Sequence, residues 1–159
     1  MGHRILVVAL ALATLLVAAC ASGPPRRISQ PAASIQELAV QADGRWSVSL
    51  RLQNYSSIPM RFDTVDLQLA VDGQAAGALR KSPALEIGPE SADVITVVLE
   101  PDPTARMLLA DALAARRGVG YVLEGHIQAA PVDRGGSRSY DIKRSSALTP
   151  APGLPGVLR

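Results

Sequence analysis

The sequence is poor in the residues from which catalytic and metal sites are usually built. Its 159 residues hold one cysteine, one tryptophan, one phenylalanine, three tyrosines and two histidines. A single cysteine excludes a disulfide framework within the chain. Two histidines, with no carboxylates clustered at ligand spacing, leave no metal motif. There is no Gly-x-Ser-x-Gly elbow, and no glycine-rich phosphate loop follows a strand, because Arg134-Gly135-Gly136 falls in a turn. An excess of one charge is missing too. Sixteen basic residues face 14 acidic ones, for a formal net charge of +2, which gives no electrostatic footprint for nucleic acid. The expectation is a protein that is not an enzyme and has no cofactor.

What is present begins at the N-terminus. Ile5 to Ala19 is an unbroken run of apolar and small residues, long enough for a signal-peptide core and short of the roughly 20 that span a bilayer. It ends in Leu16-Val17-Ala18-Ala19-Cys20, which resembles the lipobox of bacterial lipoproteins: an aliphatic residue at −3, small residues at −2 and −1, and cysteine at +1. The resemblance implies that residues 1–19 are a signal peptide removed before Cys20. The Cys20 thiol would then carry a diacylglycerol and the new amine a fatty acid such as palmitate. Each buried methylene contributes about 0.8 kcal/mol, so two or three chains anchor a protein stably. Membrane lipid, held through Cys20, is thus the first expected partner. By the sorting pattern of two-membrane bacteria, Ala21 rather than aspartate after the cysteine implies the periplasmic face of the outer membrane. Myristoylation is excluded by Leu6, and twin-arginine export by the position of Arg26-Arg27 after the apolar run. That arginine pair reads as solvated beside the membrane, with headgroup attraction as the alternative.

Residues 20–33 read as the lipidated cysteine plus a Pro-, Ser- and Arg-rich linker, with a reach of roughly 40 Å at about 3.3 Å per residue. Residues 149–159, with three prolines and no period, read as an extended tail. Between them, 34–148 is one domain with a single core.

Trp46, Val48, Leu50 and Leu52 alternate with Ser47, Ser49, Arg51 and Gln53, the period of a half-buried strand. Asp43-Gly44 before it predicts a type I′ hairpin to a strand over Ile35–Ala42. Met60 and Phe62 share one phase and Val65, Leu67, Leu69 and Val71 the other, which predicts a bulge near Asp63-Thr64. Asp72-Gly73 turns toward a short strand, Ala76–Lys81. Ala92–Glu100 is almost continuously apolar and reads as a central strand. Asp102 as N-cap, Pro103 in the first turn and Leu108, Leu109, Ala112 and Leu113 at helical spacing predict a helix. It would close on Arg116-Arg117, with Gly118 at C′. Tyr121 to Gln128 and Tyr140 to Lys143 alternate again around the Asp133–Gly136 turn. The fold class is all-β: an antiparallel sandwich of the fibronectin-III or immunoglobulin kind with one inserted short helix.

A strand ending in Asn54, a polar break, a strand running into Val71-Asp72-Gly73-Gln74-Ala75-Ala76-Gly77 and, later, Tyr121-x-Leu123-x-Gly125 with a final hairpin resemble the group 2 late embryogenesis abundant proteins and the related bacterial water-stress and hypersensitive-response (WHy) domains. That resemblance implies a fibronectin-III-like sandwich and protection of other components during desiccation. The family's Asn-Pro-Asn break is here Asn54-Tyr55-Ser56-Ser57, with the proline displaced to Pro59. Asn54 reads as a structural residue that bonds its own backbone two residues on and tolerates left-handed geometry; a binding role is the alternative.

His126 and Asp141 fall on the polar phases of their strands, where a nearby hydroxyl would complete a Ser-His-Asp set; His126 as an exposed sheet residue is the simpler reading. Trp46 and Leu108-Leu109 read as core, or else as the lining of a groove. Two functions follow from different classes. One is a membrane-anchored lipoprotein that protects envelope proteins or membrane against stress. The other is an envelope module that recruits one protein partner through a sheet edge or the helix face.

Overall fold

The computed structural model describes residues 25–133 and 135–159; the signal peptide and Cys20 lie outside the described residues. Among the described residues, nine strands and one helix follow the order β1 (Ala32–Val40), β2 (Trp46–Gln53), β3 (Met60–Val71), β4 (Gln74–Lys81), β5 (Leu85–Ile87), β6 (Ala92–Leu99), α1 (Pro103–Ala114), β7 (Val119–Pro131), β8 (Arg138–Leu148) and β9 (Val157–Leu158). Two antiparallel sheets pack face to face, one ordered β6-β2-β1-β9 and the other β4-β3-β7-β8, with β5 paired to the first residues of β3. This is the expected all-β sandwich with one short helix.

The alternation in β2 does what its period requires. Trp46, Val48, Leu50 and Leu52 are fully buried, facing Phe62, Leu67, Leu69, Leu123 and Ile127 in one continuous core. In β3 the phase slip is absorbed by a bulge between Phe62 and Thr64 against β7, so both halves of the strand face inward. β1 slips as well, between Ile35 and Glu37, and there the Ile35 N–H donates to Tyr121 Oη at 3.2 Å across the core. Gly125 marks the closest approach of β7 to β3. A Cβ there would sit 2.2 Å from the Asp66 carbonyl oxygen, and φ is +152°, so glycine is required by space and by backbone alike.

Four expectations are corrected. The β1–β2 hairpin forms, but its turn is not type I′. Gly44 alone has positive φ, whereas Asp72 (+43°) and Gly73 (+80°) make the two-residue left-handed turn between β3 and β4. β6 is a sheet edge, not a central strand, with Val94 and Val98 exposed; an apolar run does not say how many neighbours a strand has. Helix α1 starts as predicted, with Asp102 Oδ1 accepting from the Thr104 N–H at 3.0 Å. It ends two residues early, however. Arg116, not Gly118, takes the left-handed position (φ +53°), and the Arg117 N–H reaches back to the Ala112 carbonyl at 2.8 Å. Finally, neither flank is free. Leu158 is buried in β9 against β1, and residues 25–31 are docked as described below.

Candidate functional site

The polar break after β2 is a knot that gathers four segments at one end of the sandwich. Asn54 is buried, and its amide nitrogen donates to the carbonyls of Ile58 (2.9 Å), Ile87 (3.1 Å) and Gly88 (2.8 Å). Its side-chain oxygen accepts from the Ser56 N–H at 2.8 Å, the expected bond to the backbone two residues on. The two amide hydrogens are thus shared among three backbone carbonyls, the side chain is buried, and φ is not left-handed. The structural reading of Asn54 therefore holds, through hydrogen bonds rather than backbone strain.

Sequence reasoning missed the rest of the knot. Ser56, also buried, accepts from the Ser29 N–H at 3.0 Å. Ser57 Oγ accepts from the Arg27 N–H at 2.8 Å, and the Ser57 N–H donates to the Arg27 carbonyl at 3.0 Å. Arg27 also reaches Glu90 (2.9 Å) and the Tyr55 carbonyl (3.1 Å), and Arg26 forms a two-pronged pair with Asp133 at 2.6 and 2.8 Å. The bond to Asp133 raises the Arg26 pKa above its ordinary value. Thus the two arginines read as solvated are paired, and the presumed linker is strapped to the domain from Pro25 onward. The available signal was weak: unpaired serines next to a strand end, with no period to reveal their partners.

On the outer face of the second sheet, Arg80, Asp66, His126 and Asp141 form one row across β4, β3, β7 and β8. Asp66 meets Arg80 at 3.1 Å, and His126 Nδ1 lies 2.8 Å from Asp141 Oδ1. One rung along, Lys143 pairs with Glu124 at 2.7 Å, and that hydrogen bond raises the Lys143 pKa. Ser82 and Ser139 line the same open cleft of about 630 Å³ as His126. Among the described residues, His126 bonds Asp141 and no serine, and both members of the pair are exposed. The arrangement supplies cross-strand charge complementarity, worth a few tenths of a kcal/mol per pair, and lacks the bond that activates a nucleophile. Among the described residues no group of three or more His, Cys, Asp or Glu is placed to hold a metal.

Each sheet edge meets a partner from its own chain. On β6 the Asp93 carboxylate accepts from the Val94 N–H at 2.7 Å, and Lys81 Nζ donates to the Thr96 carbonyl at 2.7 Å. On β4 the Ala76 carbonyl accepts from the Asp102 N–H at 3.0 Å. On β8 the Gln30 side chain donates to the Asp141 carbonyl. β1 is covered by the C-terminal segment, where the Val40 N–H reaches the Gly156 carbonyl at 2.9 Å and Thr149 and Arg159 bond each other in both directions. Edge lysines and short covering strands are devices that keep sheet edges from pairing with other chains.

Of the remaining candidates, Trp46 and Leu109 are core and Leu108 is half-buried against it. Leu113, Arg116 and the 149–157 segment line a groove beside the helix. Among the described residues no helix is long and apolar enough to cross a membrane.

No family model matches the chain, and no curated protein matches it. Solved structures similar to this chain include the following two. A crystal structure of a protein from Archaeoglobus fulgidus aligns at 12% identity with a TM-score of 0.43, over 79% of this chain and 98% of that one. A solution structure of a protein from Arabidopsis thaliana aligns at 12% identity with a TM-score of 0.49, over 84% and 87%.

Proposed function

We propose that this protein is a non-enzymatic lipoprotein, anchored through Cys20 to the cell envelope, most simply at the periplasmic face of the outer membrane, that protects envelope proteins or the membrane during desiccation and related stress. The observation that supports this reading is that each sheet edge meets at least one group of its own chain. As water is withdrawn, exposed backbone groups seek new partners, and a sandwich with open edges would join the aggregate it is meant to prevent. This one has part of its edge backbone occupied from within and presents a salt-bridged face. It separates clients whose exposed apolar patches would otherwise meet, with tight binding unnecessary.

The second reading, recruitment of one partner, is favoured by one feature only: Met107 on α1 is 75% exposed. Recruitment through a sheet edge fits poorly with the caps. The test is recovery of two unrelated enzymes after drying with the mature protein, against an unrelated protein at equal mass. Protection of both, with no partner captured at fixed stoichiometry, is expected. Protection equal to the control, with capture of one envelope partner lost on Met107→Asp, would replace this reading by the second.

A further inference from the structure

Three exposed apolar side chains surround the place where the chain leaves the domain toward Cys20. Ile28 is 39% exposed, Tyr55 52% and Val132 39%. Ile28 follows Arg27, whose guanidinium holds the Tyr55 carbonyl and whose backbone pairs with Ser57. The Val132 N–H donates to the Pro59 carbonyl at 3.2 Å, and its neighbour Asp133 holds Arg26. All three therefore belong to the knot end, and the strap that joins them is the segment that carries the anchor.

The strap changes the geometry of tethering. A free linker up to residue 33 would let the domain drift roughly 40 Å from the bilayer, whereas docking from Pro25 leaves four residues between it and Cys20, five Cα-to-Cα steps with a reach of roughly 17 Å. That is less than the length of one strand of β7's size. The knot end must then stay close to the headgroups whatever the domain does. A tyrosine with aliphatic neighbours is the composition that settles at a membrane interface, since the ring buries its face while its hydroxyl stays wet.

We propose that the knot end is a membrane-contact surface, with Ile28, Tyr55 and Val132 seated in the headgroup region of the bilayer that holds Cys20, and the helix end directed away from it. This rests on the lipidation reading of Cys20 given above. The contact is apolar in character, because Arg26 and Arg27 each face a carboxylate of the domain. It acts as the second anchoring signal beside the acyl chains, and it turns the charged sheet face and the capped edges sideways, toward neighbouring envelope proteins.

The experiment uses the full chain, exported and processed in a bacterium, then reconstituted into phosphatidylethanolamine–phosphatidylglycerol vesicles. Acylation leaves no free thiol on Cys20, so Ile28→Cys, Tyr55→Cys and Val132→Cys each take one nitroxide, as do Met107→Cys and Leu154→Cys at the helix end; melting curves confirm that each variant is folded. Collision rates with oxygen, which concentrates in lipid, are compared with those of a water-soluble nickel chelate. The expected result is a several-fold higher oxygen-to-nickel ratio at 28, 55 and 132 than at 107 and 154. Acylated protein in which all five labels are aqueous, or in which 107 and 154 are the ones in lipid, overturns the orientation and leaves lipidation standing. An unmodified Cys20 by mass spectrometry overturns both.

Discussion

At the helix end of the sandwich the core is closed by Ala105, Leu109 and Ala112, apolar side chains of α1 laid over the ends of the strands. At the knot end the closing residues are Asn54 and Ser56, the buried polar residues of the described chain. The two closures fail differently. Apolar packing loses stability in proportion to the volume removed, while the neighbours relax into part of the space. A buried hydrogen-bonding group has no such intermediate state: once Asn54 is removed, the Ile87 carbonyl and the Ser56 N–H lose a buried partner and the Ile58 and Gly88 carbonyls a part-buried one. The knot end also carries the strap toward the anchor, so its hydrogen bonds govern position as well as stability.

The largest effect is expected where the helix end meets the core. Trp46, fully buried opposite Leu99, should cost about 3–5 kcal/mol on replacement by alanine, read by denaturant unfolding; in the wild type its fluorescence should be that of a water-excluded indole. Asn54→Ala should follow, at about 3 kcal/mol, although it removes far less volume. A loss under 1 kcal/mol would mean that water replaces the amide and that the two ends are alike. Arg116→Gly should raise stability by about 1 kcal/mol, because a non-glycine residue sits in the left-handed C′ position.

The smallest effect concerns Asp63, at the β3 bulge beside the knot. Its carboxyl is held below its ordinary value, first by the hydrogen bond from Arg61 and then by Ser137, against a desolvation that opposes them. A depressed folded pKa contributes stability above the ordinary value of 3.8 that is lost as pH falls through the lower, folded value. Asp63→Asn should therefore lower the melting temperature near neutral pH, and the gap should close in acid below the folded pKa.

The apolar half of this comparison was legible in the sequence and the polar half was not. Period-two alternation placed Trp46 to Leu52, the phase change placed the β3 bulge, and Asp102-Pro103 placed the start of α1, because each is a local pattern with one physical solution. The docking of Arg27 on Ser57 and of Val157-Leu158 on β1 joins segments 30 residues or more than 100 residues apart. Serines, prolines and arginines in such stretches carry no period, so they read as linker and tail. The apolar run of β6 concealed its edge position for a related reason: the caps that make an exposed edge tolerable, Lys81 and Asp93, are visible only once the strand order is known. His126 and Asp141 were correctly placed on polar phases, and their pairing followed from register alone.

The central claim is that the knot binds the anchor-bearing segment to the domain. Amide hydrogen exchange of the mature chain tests it most directly, at Arg27, Ser29, Ser56 and Ser57, whose N–H groups all end on knot atoms. The account predicts slow exchange at all four in the wild type, rapid exchange in Asn54→Ala, and retained protection in Leu109→Ala under conditions where that variant remains folded. Rapid exchange at Arg27 and Ser29 in the wild type, with β2 and β3 protected, would contradict it and restore a free linker.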